Sequence, residues 1–498
     1  MERAQVDPSW FRLSATALAA RHREGALRSR GLVLAHIDAI RARNPALNAM
    51  VADRFEAAVA EAEAADAATP GSLGPLQGVP CTVKETFELT GMPYSGGLPA
   101  RKDLRATKDA FAVARLRAAG AIPLGVSNIP ELAMWTESVN TVYGRTNNPY
   151  DLRRGAGGSS GGEGALVGAG LSPFGIGSDV GGSIRLPASF CGVFGHKPSG
   201  GYSSSTGMHP IFDGVPADAR MLGVGPICRR AEDLYPLLKI TSGHDPLDPT
   251  TFLDTPIGDP ATVDVAGLRV LLVEKVGYWR PTKAVRVAQR RAAAALAARG
   301  AKVEVFEHPS LRNTIEMWVS RLFLANPLLF MERLGYHSAS RTALELVPWA
   351  LGRSEHIIGA ILLGLGEALF KRFFPEFMAK RAAECRAMQA EVNARLGENG
   401  ILLVPPYTRL APRHGDPVAR TVLLGRAEVA YPALLNALEL PATAVPLGLD
   451  PSGLPTGVTV AAGQGKDHLC FAVAQVLERD LGGWVPPPGS VGAGLGPA

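Results

Sequence analysis

Between Leu76 and Pro198 the chain alternates short apolar runs with turns dense in glycine, a texture that few folds accept. Runs such as Val79-Pro80-Cys81-Thr82-Val83 and Ala121-Ile122-Pro123-Leu124-Gly125-Val126 read as buried strands. Ala110 to Ala119 between them reads as a helix closed by Gly120. Strand–helix–strand order marks a sheet covered by helices, an α/β fold. The order returns later. Leu268 to Val273 reads as a strand, Ala284 to Arg299 as a helix closed by Gly300, and Lys302 to Phe306 as the next strand. Ile401 to Val404, Ala442 to Val445 and Gly457 to Ala461 read as further strands, and Leu469 to Asp480 as a closing helix. Residues 11–65 read as helices: Ser14 caps the first, Val33, Ile37 and Ile40 share a face with His36, Asn44-Pro45 stops that run, and Ala57 to Ala68 follows. Ala165 to Gly170 reads as a helix of small residues. No internal repeat or linker divides the 498 residues. The expectation is one unit over 1–498, with N-terminal helices over 1–70, a glycine-rich core over 76–200 and an apolar helical cap over 311–380.

Charge excludes some functions. A net charge of +5 without a long basic block speaks against nucleic acid as a partner. The five cysteines are scattered, with no Cys-x-x-Cys pair, and read as reduced, buried thiols. No metal-ligand spacing appears among His, Cys, Asp and Glu, and no cofactor is implied. Met1 to Asp7 lacks the basic-then-apolar layout of a signal peptide. The longest apolar stretch, Ile357 to Gly366, falls well short of the roughly 20 residues needed to span a bilayer. A soluble, cytoplasmic protein is expected.

Three segments carry the chemistry: Gly78-Val79-Pro80-Cys81-Thr82-Val83-Lys84-Glu85, Gly157-Gly158-Ser159-Ser160-Gly161-Gly162 and Gly177-Ser178-Asp179-Val180-Gly181-Gly182-Ser183-Ile184-Arg185. A hydroxyl is a weak nucleophile until a base takes its proton. Ser183 follows two glycines that let backbone amides turn toward one point, where they would hold a developing oxyanion. Ser159 lies between paired glycines, and Lys84 ends a strand that runs inward. A buried lysine loses its proton near neutrality, so Lys84 could receive the proton of Ser183 through Ser159. Taken singly, the glycine loops also read as turns or a phosphate cradle, and Lys84 as a surface charge. Against a nucleotide site, no Gly-Lys-Ser/Thr follows Gly155-Ala156-Gly157-Gly158-Ser159-Ser160-Gly161, and no acidic ribose partner is evident. No Gly-x-Ser-x-Gly elbow surrounds Ser183. His196, between Gly195 and Lys197, reads as a packed structural residue.

Together the three segments resemble the amidase signature family, whose members use a Ser–Ser–Lys triad with the middle serine in a cis peptide. The resemblance places Lys84 as the lysine, Ser159 as the cis-serine and Ser183 as the nucleophile. It places the oxyanion amides at Val180, Gly181, Gly182 and Ser183, and supporting polar contacts at Ser160, Ser178, Asp179 and Arg185. Phe190-Cys191-Gly192-Val193-Phe194-Gly195-His196-Lys197-Pro198 matches as well. The fold it implies is a large mixed, twisted sheet with helices on both faces. Many members read Gly-Gly-Ser-Ser-Gly-Gly-Ser, whereas this chain continues Gly161-Gly162-Glu163-Gly164-Ala165-Leu166. That looks like the fatty-acid amide hydrolase branch. The stretches Leu89 to Pro93, Tyr143 to Leu152, Gly225 to Leu234, Trp349 to Gly352 and Gly482 to Val485 look like its type-two form. Animal members carry an N-terminal membrane helix, and no such segment is read here.

The stretch from Leu311 to Phe374 is rich in large apolar residues punctuated by Arg321, Arg333, Arg353, Lys371 and Arg372. It reads either as ordinary core helices or as a greasy cap that lines an acyl pocket or touches a membrane surface. The expected activity is hydrolysis of a small-molecule amide or ester with an apolar acyl or aryl group, through an acyl-enzyme. A peripheral membrane contact and a homodimer stay open. So do two other classes: a subunit of a transfer-RNA-dependent amidotransferase, and a lipid-binding homologue that has lost catalysis.

Overall fold

The computed structural model describes residues 7–69, 74–210, 219–252, 256–326, 328–424 and 428–491. Met1 to Val6, where the signal-peptide reading falls, lie outside the described residues. The strands are β1 (Met50–Asp53), β2 (Pro80–Lys84), β3 (Ile122–Ser127), β4 (Val139–Asn140), β5 (Gly144–Arg145), β6 (Phe174–Asp179) and β7 (Phe194–Lys197). They continue with β8 (Gly223–Cys228), β9 (Arg269–Leu272), β10 (Lys302–Val305), β11 (Gly400–Val404), β12 (Ala442–Leu449) and β13 (Pro455–Ala462). Eleven form one sheet in the order β1-β3-β2-β6-β8-β7-β12-β13-β11-β9-β10, while β4 and β5 make a separate ribbon. The sheet is mixed: β3, β2 and β6 run parallel, as do β11, β9 and β10, and antiparallel pairs join the strands between. Helices pack around it, and the α/β class expected from the sequence is the class observed.

Every residue of β2, β6, β7 and β8 is buried. Strands covered on both faces need no polar alternation, which explains why they read as plain apolar runs or did not register. β6, β7 and β8 are glycine-rich, and sequence patterning passed over all three. β1 corrects the reading of 11–65 as helical throughout. Met50–Asp53 pairs antiparallel with β3 and forms the sheet edge. The helix Ser29–Leu47 corrects a second expectation by running through Pro45. Proline removes one interior amide only three residues from the end of the helix. The true stop is Asn48, in the left-handed region at φ 48°, while the Asn44 side chain accepts from the amides of Ala49 and Met50. Ser14 caps its helix as expected, accepting from Ala17 at 3.0 Å. The small-residue helix starts earlier than the sequence suggested, at Gly161–Gly168.

Within 311–380 the chain forms the helices Thr314–Leu324, Phe330–Arg333, Ala339–Leu344, Leu346–Ala350 and Ile358–Phe373, and then enters Pro375–Leu396. Part of this region is core: Met317, Leu322, Phe323, Phe330 and Ile361 are buried. Part is not, since Leu344, Val347, Leu351, Phe373 and Phe374 stand more than half exposed.

Candidate active site

Parallel neighbours β2 and β6 end side by side. Thr82 lies opposite Gly175 and Val83 opposite Ile176, so Lys84 at the end of β2 faces the last residues of β6. Ligands bind beyond the carboxyl ends of strands in such sheets. There Lys84 Nζ lies 2.7 Å from Ser159 Oγ and 2.9 Å from Ser178 Oγ. The amine is fully buried, and burial lowers its pKa to about 7 against the opposing pull of the Asp179 and Glu163 carboxylates. Near neutrality it is therefore a lysine able to accept a proton.

Ser159 comes from the turn that opens the helix Gly161–Gly168, and its peptide bond to Gly158 is cis. The turn is held from outside by Ser138, whose hydroxyl donates toward the carbonyls of Gly157 (3.1 Å) and Ser159 (3.3 Å) and accepts from the Gly161 amide at 3.0 Å. A Cβ on Gly158 would come within 2.4 Å of the Trp135 carbonyl oxygen, so the close approach excludes any side chain there. The Ser160 hydroxyl lies 3.4 Å from the carbonyl of Ser178.

Ser183 follows β6 on the loop leading to the helix Arg185–Phe190, and its carbonyl accepts from the Ser160 amide at 3.1 Å. It lines a small cavity together with Ser159 and Ser178, and it also faces a larger one. The loop is shaped by Asp179. One carboxylate oxygen accepts from the Gly182 amide (2.7 Å) and the other from the Ile184 amide (3.1 Å), while Arg185 closes a two-pronged ion pair at 2.9 and 3.0 Å. Burial works against the Asp179 charge, but the Arg185 guanidinium and the Asn436 amide outweigh it and hold the carboxyl below its usual range. Gly182 sits at φ +111°, where a Cβ would also lie 2.4 Å from Pro432. Of the four amides expected for an oxyanion, that of Gly182 donates to Asp179 in this structure.

Two further residues of this site were not found from the sequence. Asn436 donates to the carbonyl oxygen and a carboxylate oxygen of Asp179 and to the Met221 carbonyl, all at 2.9 Å. Trp318 donates from Nε1 to the Val180 carbonyl at 2.7 Å, and its ring lies so close over Gly181 that a Cβ there would meet it at 2.6 Å. Asn436 is the lone strongly polar residue of the apolar helix Ala430–Ala437, a signal that could have exposed it. Trp318 gave no comparable signal among its apolar neighbours. His196 belongs elsewhere: it is buried between Thr443 Oγ1 (2.8 Å) and Asp467 Oδ1 (3.0 Å).

The larger cavity, about 250 Å³, opens beside Ser183. Met134 and Trp135 wall it from one side, and Ile315, Trp318, Val319 and Leu363 from the cap helices Thr314–Leu324 and Ile358–Phe373. A mostly apolar pocket with a few polar groups at one end suits a small organic ligand.

The Amidase family matches this chain over residues 31–471. Fatty-acid amide hydrolase 2-B of Danio rerio is 42% identical, over 95% of this chain and 90% of its own. Fatty-acid amide hydrolase 2 of Homo sapiens is 39% identical over the same shares. Among solved structures, that of 6-aminohexanoate cyclic dimer hydrolase complexed with substrate is similar at a TM-score of 0.80 and 28% identity, covering 98% of this chain and 100% of that one.

Proposed function

Because the chain belongs to the amidase signature family and is an amide hydrolase, we propose that it cleaves its substrate through an acyl-enzyme on Ser183. In this reading Ser183 Oγ attacks the carbonyl carbon as its proton passes to Ser159, whose own proton passes to Lys84. The amides of Val180, Gly181 and Ser183 receive the developing oxyanion, with Asp179 and Arg185 fixing the loop that carries them. The C–N bond breaks as the relay runs backwards and protonates the leaving amine. Water then repeats the cycle and releases the acid. The observation that supports this most is the buried amine of Lys84, 2.7 Å from the Oγ of Ser159, a residue that lines one small cavity together with Ser183. Ser183→Ala should fold normally and lose at least about 10³-fold in kcat on an acyl anilide. A folded variant hydrolysing at the parent rate would end the proposal.

The substrate we infer is an amide with an apolar acyl chain. Four apolar side chains of the cap face the cavity beside Ser183, and the relatives named above are fatty-acid amide hydrolases. The exposed apolar face of the cap, bordered by Lys371 and Arg372, supports a peripheral contact with lipid. No helix among the described residues is long and apolar enough to cross a membrane.

A further inference from the structure

Glu163 takes part in none of these steps, yet its carboxylate is completely buried beside the strand that carries Lys84. It stands on the helix that begins just after Ser159 and Ser160. Thr82 and Lys84 alternate along β2, so both side chains leave one face, about 7 Å apart. Thr82 Oγ1 donates to Glu163 Oε2 at 2.6 Å. The space for that oxygen comes from Gly175, directly opposite Thr82 on β6: a Cβ there would lie 1.7 Å from Oε2. Among the described residues, none donates a hydrogen bond of ordinary geometry to the other oxygen, Oε1.

Other charges surround the same amine. Asp179 on β6 also faces Lys84, but it is paired with Arg185 from the next helix and lies within the field of Lys197 on β7. β2 itself adds Cys81, whose thiol burial holds far above its usual range, and β3 presents the Ser127 hydroxyl toward Glu163. Glu163 has no ion-pair partner among the described residues, and it is the only charged residue of its helix. Asp179 exerts the larger pull on the amine of the two carboxylates, and Glu163 adds to it from a carboxylate that is tied to no cation of its own.

We propose that Glu163, held through Thr82, is a positioning residue for Lys84 that sets how firmly the amine keeps the proton delivered through Ser159. The proposal rests on the reading of Lys84 as proton acceptor. Burial raises the Glu163 carboxyl to about 7, against the pull of Thr82, Ser127 and Lys84, so it shares a titration range with the lysine it faces. A negative charge at Glu163 favours the ammonium form of Lys84. Removing that charge leaves the amine neutral to lower pH and makes it a weaker base.

The test is the pH profile of kcat/KM on an acyl p-nitroanilide. Glu163→Gln should move the acid limb about one pH unit downward and lower the plateau severalfold. Thr82→Val removes the hydroxyl that stabilises the carboxylate, keeps the packing, and should move the limb the same way by a smaller amount. Glu163→Asp, which keeps the charge, should leave the limb nearer its parent position than Glu163→Gln does. A limb that stays in place in Thr82→Val and in any folded Glu163→Gln, with only the plateau reduced, would overturn the proposal in favour of plain packing. A parent enzyme without an acid limb would instead overturn the role of Lys84 itself.

Discussion

At the scale of single residues, the loop that carries Ser183 depends on one buried carboxylate. Asp179 organises three backbone amides and the side chains of Arg185 and Asn436, all out of water. Breaking a buried pair leaves a charge without a partner, which costs far more than the pair contributes. Arg185→Leu should therefore destabilise the protein by about 3–5 kcal/mol in denaturant unfolding. Asp179→Asn combined with Arg185→Leu should recover part of that loss. A single variant as stable as the parent would show that the pair does not hold the loop. The sequence offered the residues of the proposed relay through the glycines beside Ser159 and Ser183 and the apolar run that ends at Lys84. Their supports were not legible in it, because Asn436 reaches Asp179 from 257 positions away and Trp318 reaches Val180 from 138 away. Contacts of that range follow from the strand order of the sheet, which a linear pattern does not contain.

Secondary-structure elements divide the work between the sheet and the cap. Strand ends supply Lys84, Ser178 and Asp179, and one helix start supplies Ser159. Rigid elements of this kind hold reacting groups more firmly than free loops do. The strands that read clearly were those flanked by helices with ordinary apolar faces. The glycine-rich β6, Phe-Gly-Ile-Gly-Ser-Asp, offered no periodicity to read, although it delivers two of the site residues. Its glycines leave room for Glu163 at Gly175 and for Ser160 at Gly177. Cap helices wall the cavity, and this gives a prediction at the same scale. Lengthening an acyl chain should raise kcat/KM by about fourfold per methylene, the value of one buried CH₂, until the cavity is filled. Trp318→Ala should weaken that dependence and also lower kcat, since it frees the Val180 carbonyl. A flat response from short to long acyl groups would remove the acyl-pocket reading.

Across the whole molecule, one large sheet joins the glycine-rich first half to the second half, and the 311–380 region sits over the cavity as an amphipathic cover. Sequence composition showed that region to be unusually apolar but could not separate core from surface. The structure does: Phe323 and Phe330 face inward, while Phe373 and Phe374 face solvent. We expect Phe373→Ser/Phe374→Ser to reduce co-sedimentation with anionic phospholipid vesicles by about tenfold or more, with little change in activity on a soluble anilide. Unchanged vesicle binding would argue against lipid contact at this face, and a change in sedimentation coefficient without lipid would assign it to pairing of two copies.

The most direct measurement of the proposed relay is the rate of covalent labelling by a fluorophosphonate, followed by intact mass across pH and mapped by peptide digestion. In the proposed relay, phosphonylation of Ser183 needs Lys84 neutral, and burial places that amine's pKa at about 7. One adduct on Ser183 is predicted, formed at a constant rate above neutrality and slowing about tenfold for each pH unit below it. Lys84→Ala should abolish the pH dependence along with most of the rate. An adduct on another residue, or a labelling rate indifferent to pH and to Lys84, would contradict the mechanism.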